Sequence, residues 1–183
     1  MVQRTQSVAL RLCAAVLSIL ILQAAPAPAQ PGAGAAQGSV SGLPVPRFVS
    51  LKSDKVNVRV GPTKENDVRW TYTRAGLPVE ITAEYDNWRR IRDWEGAEGW
   101  VYHSLLSGKR TAMVTADPHA KKALVPLRDD ADAHATVTAR LQPGVVATVK
   151  RCDGTWCRIA GHRFDGWIAQ ERLFGVYPNE KID

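Results

Sequence analysis

The sequence predicts an all-β chain built from two tandem copies of one small antiparallel unit. Three observations predict it. Gly76–Val101 reads as three short strands in a row, the turns between those strands are tight, and the same pattern is written again at Gly144–Ile168. In the first copy Val79, Ile81 and Ala83 alternate with Glu80, Thr82 and Glu84, the period of a half-buried strand. Asp86-Asn87 supplies turn chemistry, because both side chains bond nearby backbone and tolerate left-handed geometry. Trp88, Arg90 and Arg92 alternate with Arg89, Ile91 and Asp93 on the return strand, Glu95-Gly96 makes the next turn, and Gly99-Trp100-Val101 opens the third strand. Short strands joined by tight turns form an antiparallel meander.

The repeat is specific. Gly76, Trp88, Arg90 and Ile91 fall on Gly144, Trp156, Arg158 and Ile159 at an offset of 68, and Gly99-Trp100-Val101 falls on Gly166-Trp167-Ile168 at 67. Leu106 and Gly108 are echoed by Leu173 and Gly175, and Val58-Arg59 by Leu127-Arg128. This period is too long for a solenoid and marks two copies of one module.

In chain order, residues 1–29 read as a secretory signal: Arg4 and Arg11 precede the apolar run Leu12–Leu22, and Ala27-Pro28-Ala29 is an A-x-A cleavage site. The run is too short to span a bilayer, so no stable membrane span is expected after cleavage, and Cys13 is removed with the signal. Cleavage leaves 22 basic against 18 acidic residues, a net charge of +4. That mild excess fits attraction to anionic envelope surfaces and, with export, argues against nucleic acid. Residues 30–46 are rich in Pro, Gly, Ala and Ser and read as a flexible tether.

The first module is expected over 47–113. It opens with strands at Phe48–Leu51, Val56–Pro62 and Val68–Thr73, then the meander, a 3₁₀ turn at His103–Leu106, and a closing strand at Lys109–Val114. The second module is expected over 114–175, with strands at Ala123–Leu127, Val137–Leu141, Val145–Cys152, Trp156–Ile159 and Gly166–Ala169. Residues 176–183 read as a polar tail. At about 65 residues each, the copies have marginal cores and are expected to pack on one another.

Cys152 and Cys157 flank a hairpin tip, with Tyr85 and Arg89 at the equivalent places of the first copy. Such positions bring Cα atoms within disulfide reach, and export places them in an oxidising compartment. A structural disulfide is the expectation. The spacing is not C-x-x-C as a redox pair would want, and a zinc site with His162 lacks a fourth ligand at a usual spacing.

No catalytic constellation is present in the sequence. His103, His119, His134 and His162 have no metal-ligand spacing, and no G-x-S-x-G, phosphate-loop or H-E-x-x-H motif occurs. Asp129, Asp130 and Asp132 read as a solvated loop, as do Asp93, Glu95 and Glu98. The expectation is a non-enzyme with no metal and no cofactor. Of the six tryptophans, the repeated pairs Trp88/Trp156 and Trp100/Trp167 are read as packing residues, at core or rim. Trp70, Tyr72 and Trp94 have no aromatic counterpart in the second copy and are candidates for a binding surface or for the contact between modules.

The motifs N-V-R-x-G-P (Asn57–Pro62), W-x-Y-x-R-x-G-L-P-V-E (Trp70–Glu80), D-N-W-R-R-I-R-D-W-E-G (Asp86–Gly96) and E-G-W-V (Glu98–Val101), with C-D-G-T-W-C-R-I (Cys152–Ile159) and D-G-W-I (Asp165–Ile168), resemble the bacterial SH3-like domain, in particular its exported proteobacterial variant. The second copy departs from it where Asp129-Asp130 replaces Gly-Pro. The resemblance implies two tandem SH3-like β-barrels, small and partly open, of five to seven strands each, behind the signal and tether. It further implies a non-catalytic, periplasmic binding protein for a cell-wall peptide, a glycan or an envelope protein. The second reading is a scaffold subunit held permanently by one envelope protein. In such barrels the ligand groove lies between the long first loop and the meander turns. This places the candidate ligand-binding residues at Trp70, Tyr72, Trp94 and Tyr102, beside the loop Thr63–Asp67.

Overall fold

The computed structural model describes residues 36–38, 40–116 and 123–183; the expected signal, 1–29, lies outside them. Two antiparallel sheets, one of seven strands and one of eight, each curled into an open barrel around its own apolar core, hold most of the described chain. The first contains β3 (Arg47–Leu51), β4 (Val56–Arg59), β5 (Val68–Tyr72), β6 (Pro78–Tyr85), β7 (Trp88–Arg92), β8 (Glu98–Tyr102) and β9 (Leu106–Ser107), in the order β5-β4-β8-β7-β6-β3-β9. The second contains β10 (Thr111–Val114), β11 (Val125–Arg128), β12 (Val137–Leu141), β13 (Val146–Asp153), β14 (Trp156–Ala160), β15 (Asp165–Ala169) and β16 (Leu173–Phe174), in the order β12-β11-β15-β14-β13-β10-β16. The two orders are the same when β10 is matched to β3, so the duplication read from the sequence is a duplication of topology. A 3₁₀ turn, His103–Leu105, precedes β9, and its counterpart Gln170–Arg172 precedes β16.

That matching corrects one expectation. The strand at Lys109–Val114 does not close the first copy. Thr111–Val114 pairs with β13 and β16 and opens the second copy, as β3 opens the first by pairing with β6 and β9. The change of sheet falls between Ser107 and Thr111, ahead of the expected boundary between 113 and 114. Leu51 and Val114 are equivalent: each exchanges backbone hydrogen bonds with the turn that leads into the long meander strand.

The strands alternate as their sequences dictate. In β8, Gly99 and Val101 face inward and Glu98, Trp100 and Tyr102 outward; in β15, Gly166 and Ile168 face inward and Trp167 outward. Trp100 and Trp167 are therefore half-buried outer-face residues rather than core volume. The core need at this place is for the glycine. A Cβ on Gly99 would stand 2.4 Å from Val58 Cγ1 and 3.0 Å from the Arg59 carbonyl oxygen, and one on Gly166 would stand 2.6 Å from the Arg128 carbonyl oxygen. β4 and β11 cross so close to the third meander strand that only hydrogen fits. The inward positions of the neighbouring strands, Val58, Ile91 and Val101 with Leu127, Ile159 and Ile168, are fully buried.

Two chain ends cover equivalent sheet edges. β17 (Lys181–Ile182) adds to β13, with Ile182 opposite Cys152, and Val176 enters the second core; the stretch 176–183 is folded structure rather than a polar tail. On the first copy, β1 (Ala36–Gln37) pairs with β2 (Pro44–Val45), and the segment between them is fastened to Glu84. The Glu84 carboxylate accepts hydrogen bonds from the Val40 amide at 3.2 Å, the Ser41 amide at 2.9 Å, the Ser41 hydroxyl at 2.7 Å and the Arg47 guanidinium at 2.8 Å. The described part of the expected tether is thus pinned to the barrel. Covering an edge in this way removes a template for unwanted strand pairing.

The Cys152–Cys157 disulfide forms as expected, with Cα atoms 4.1 Å apart at directly opposed positions of β13 and β14. The same register position in β6 and β7 holds Glu84 opposite Arg89, joined by an ion pair at 3.2 Å. The counterpart of Cys152 is therefore Glu84, not Tyr85.

The two barrels pack through the end of the second. Phe48 meets Phe174 and Tyr177 with ring centroids at 5.1 and 4.7 Å. The Tyr177 hydroxyl donates to Glu80 Oε1 at 2.9 Å, while Glu80 Oε2 accepts from Arg92 Nε and Nη2 at 2.9 and 2.6 Å. Burial, and next the bond to Glu80, raise the Tyr177 phenol well above its ordinary value, so it stays a donor. Gly175 sits at this seam with φ +117°, and a Cβ there would stand 2.4 Å from the Thr111 carbonyl oxygen.

Two outcomes follow from these contacts. Gly99→Ala and Gly166→Ala should each lower stability by about 1–3 kcal/mol in chemical denaturation through overpacking, whereas Gly108→Ala, with open space around it, should stay within about 0.5 kcal/mol. The second outcome concerns Glu84. Burial opposes its charge, but the hydrogen bonds from Ser41, Arg47 and Val40 outweigh burial and hold the carboxyl down at about 2. A folded value below the unfolded one means the contribution is complete above the unfolded value of about 4.3 and is lost as pH falls through the folded value. The Val40 and Ser41 amide resonances should therefore shift to free-chain positions between about pH 4.3 and 2, ahead of the sheets, and Glu84→Gln should abolish that step.

Candidate functional site

The four residues expected to form the site divide into two places. Trp70 and Tyr72 on β5 join Trp94, from the turn after β7, in a row of rings: Trp70 to Tyr72 is 6.0 Å edge-on and Tyr72 to Trp94 is 6.0 Å tilted. The row caps one end of the first core. Tyr72 is 8% exposed, and its hydroxyl donates to Asp93 Oδ2 at 2.7 Å. Burial first, and then this bond, raise the Tyr72 phenol well above its ordinary value. Asp93 is buried rather than solvated: its Oδ1 accepts the amides of Glu95 and Ala97 at 3.0 and 2.9 Å and so shapes the turn that carries Trp94. Asp132 likewise serves its own loop, accepting the His134 amide at 2.6 Å.

Tyr102 lies elsewhere. It is directly opposite Trp88 across β7 and β8, with the rings edge-on at 5.5 Å. Together they floor a groove of about 480 Å³, whose rim carries Lys55, Asn57, Arg59 and Lys64 on one side and the 3₁₀ turn on the other. Arg59 is the hinge of this arrangement. Its Nη1 donates to the Asn66 carbonyl oxygen at 2.6 Å and so ties the first loop, with Lys64, to β4. Arg128 makes the same bond to the Ala135 carbonyl oxygen at 2.6 Å in the second copy. Three cations over two aromatic rings, with no carboxylate in the lining, suit a ligand that presents both a negative charge and an apolar or sugar face.

Sequence reasoning names Tyr102 and the loop that carries Lys64, but not Trp88, Lys55 or Arg59 as lining. Trp88 reads as a packing residue because it is repeated; its 7% exposure agrees with that, and it also lines the groove. The signal for the groove was the pairing of Trp88 with Tyr102 across the second meander turn. That pairing requires the register to be known.

The equivalent place in the second copy is a cavity of about 810 Å³ floored by Trp156 and Ala169 and walled by Val176 and Pro178. Ala169 stands where Tyr102 stands, Ala133 where Lys64 stands, and Glu171 where Ser104 stands. Loss of the tyrosine ring widens the groove, and the charge changes remove its basic character.

Removing the hydroxyl in Tyr72→Phe leaves a buried Asp93 oxygen without its partner and should cost about 1–3 kcal/mol, measured by denaturation. The groove should be untouched, because Tyr72 does not line it.

Among the described residues no group of three or more His, Cys, Asp or Glu has metal-binding geometry. No curated protein matches the chain. Among the solved structures that align with it are NlpC2 from Trichomonas vaginalis, at 13% identity over 71% of this chain and 48% of that one with a TM-score of 0.32, and NlpC1 from the same organism, at 14% over 75% and 48% with a TM-score of 0.29. The chain spans about half the length of either. The family model of the bacterial SH3 domain matches residues 52–108 and 121–175, one match in each barrel, and the chain belongs to that family, as a tandem pair.

Proposed function

We infer that the protein is an exported, non-catalytic binding protein of the cell envelope, and that its first barrel takes an anionic cell-wall peptide or glycan in the groove above Trp88 and Tyr102. The observation that carries this reading is the groove itself, where Lys55, Arg59 and Lys64 face an aromatic floor with no acidic residue among them. A stem-peptide or sugar carboxylate would meet the cations, and the face of a sugar or an aliphatic side chain would lie on Tyr102, which is half-buried. Export is supported by the signal pattern of residues 1–29 and by the disulfide, which persists in oxidising compartments. No helix among the described residues is long and apolar enough to cross a membrane.

Retention on purified peptidoglycan and titration with its soluble fragments test the reading. Lys64→Gln and Tyr102→Ala should each weaken binding about tenfold, roughly 1.4 kcal/mol, while the far-ultraviolet spectrum and denaturation midpoint of Lys64→Gln remain those of the parent. Undiminished retention of both variants, or no retention of the parent, would overturn it. Failure to bind peptidoglycan together with one stoichiometric envelope protein partner would instead establish the scaffold reading.

A further inference from the structure

The first and second barrels also meet along a cleft of about 440 Å³ lined by residues of both. Its basic side chains come from four separate elements. Arg74 projects from the turn before β6, Lys109 from the connection between the sheets, Lys150 from β13, and His162 from the turn between β14 and β15. Arg74 reaches across the seam to within 3.5 Å of the Gly144 carbonyl oxygen, and the Thr111 hydroxyl donates to the Gly76 carbonyl oxygen at 2.8 Å beneath it. The cleft exists only because the two copies are packed, so neither barrel alone contains it.

Its charge is not balanced from within. Several arginines on other faces are neutralised locally: Arg47 and Arg89 by Glu84, Arg90 by Glu98, Arg92 by Glu80, Arg110 by Glu180 and Arg158 by Asp165. No carboxylate lines the cleft, and among the described residues Lys109 and Lys150 have no ion pair. Like charges brought together without a counter-charge repel, and concavity concentrates their field, so such a cluster draws a multiply charged anion from solution. Arginine offers a planar fork to phosphoryl oxygens and lysine a mobile point charge. No Trp, Tyr or Phe ring lines it to offer a broad stacking face to a base or a sugar. The volume exceeds what one carboxylate or one phosphate would fill.

We propose that the inter-barrel cleft of Arg74, Lys109, Lys150 and His162 is an anion site for a diphosphate-class group. The ligand would be carried on a lipid headgroup or on a soluble phosphate ester. This assignment is independent of the groove at Tyr102, which recognises a different chemistry with different residues.

The test is calorimetric titration of the full chain with inorganic pyrophosphate at fixed ionic strength. Saturable binding is expected in the parent protein. Lys109→Gln/Lys150→Gln, both at exposed positions, should weaken it at least tenfold, whereas Lys64→Gln in the groove should leave it unchanged. No saturable binding, or an equal loss from Lys64→Gln, would overturn the proposal. Co-sedimentation with vesicles doped with a polyprenyl diphosphate, displaced by pyrophosphate, would place the group on a lipid headgroup, and pyrophosphate binding without co-sedimentation would place it on a soluble ester; both support the site. Because the groove is tested on peptidoglycan and the cleft on pyrophosphate, either reading can fail alone.

Discussion

The close crossing of β4 over β8, and of β11 over β15, governs the architecture of both barrels. At Gly99 and at Gly166 the two backbones approach to a distance that admits no side chain. Strand alternation then forces the next residue, Trp100 or Trp167, onto the outer face. There Trp100 is in register with Arg59 on one side and Arg90 on the other, and Trp167 with Arg128 and Arg158. The same arginines, Arg59 and Arg128, hold the long first loops through a backbone carbonyl. One steric constraint therefore closes the curl of the sheet, sets the outward faces, and positions the loop that borders the groove.

How much of this was legible in the sequence depends on range. The β2-period runs and turn residues gave nearly every strand of the meanders, and the offsets of 68 and 67 gave the duplication. The 3₁₀ turn after Tyr102 was also readable, because four residues before the next strand leave room for nothing longer. Alternation, however, says that two faces differ without saying which is inside. Trp100 reads as a packing residue at core or rim because its size is repeated; the core requirement repeated at this place is the absence of a side chain at Gly99. Thr111–Val114 was given to the wrong sheet because its partners, β13 and β16, lie far along the chain. Asp93 looked like a solvated turn residue because its partner, Tyr72, is 21 residues away. For the candidate site, Tyr102 and the loop were visible; the cationic rim was not, because Lys55, Arg59 and Lys64 converge only once the loop is tied down.

The two copies share a frame and differ in how they fasten it. Opposed positions on the first hairpin of the meander carry a covalent link in one barrel and a buried charge pair in the other. Glu84 also takes on the N-terminal strap, a task that β17 performs for the second barrel by strand pairing. A carboxylate has acceptor capacity to spare for several donors at once, which a disulfide lacks. The substitution at this position thus goes with the different way each edge is covered.

Packing at Phe48, Phe174, Tyr177 and Glu80 has a consequence for valency. With the barrels folded into one compact unit and only residues 108–110 between β9 and β10, the basic groove of the first copy and the wider cavity of the second, which holds Glu171 and no Lys or Arg, stand at a set separation and angle. A polymer that reached both would bind its second segment at an effective concentration fixed by the protein rather than by a linker. Its repeat length would have to match that separation. On the proposed reading the tandem arrangement would act as a ruler, favouring chains of one spacing and gaining no avidity from those of another.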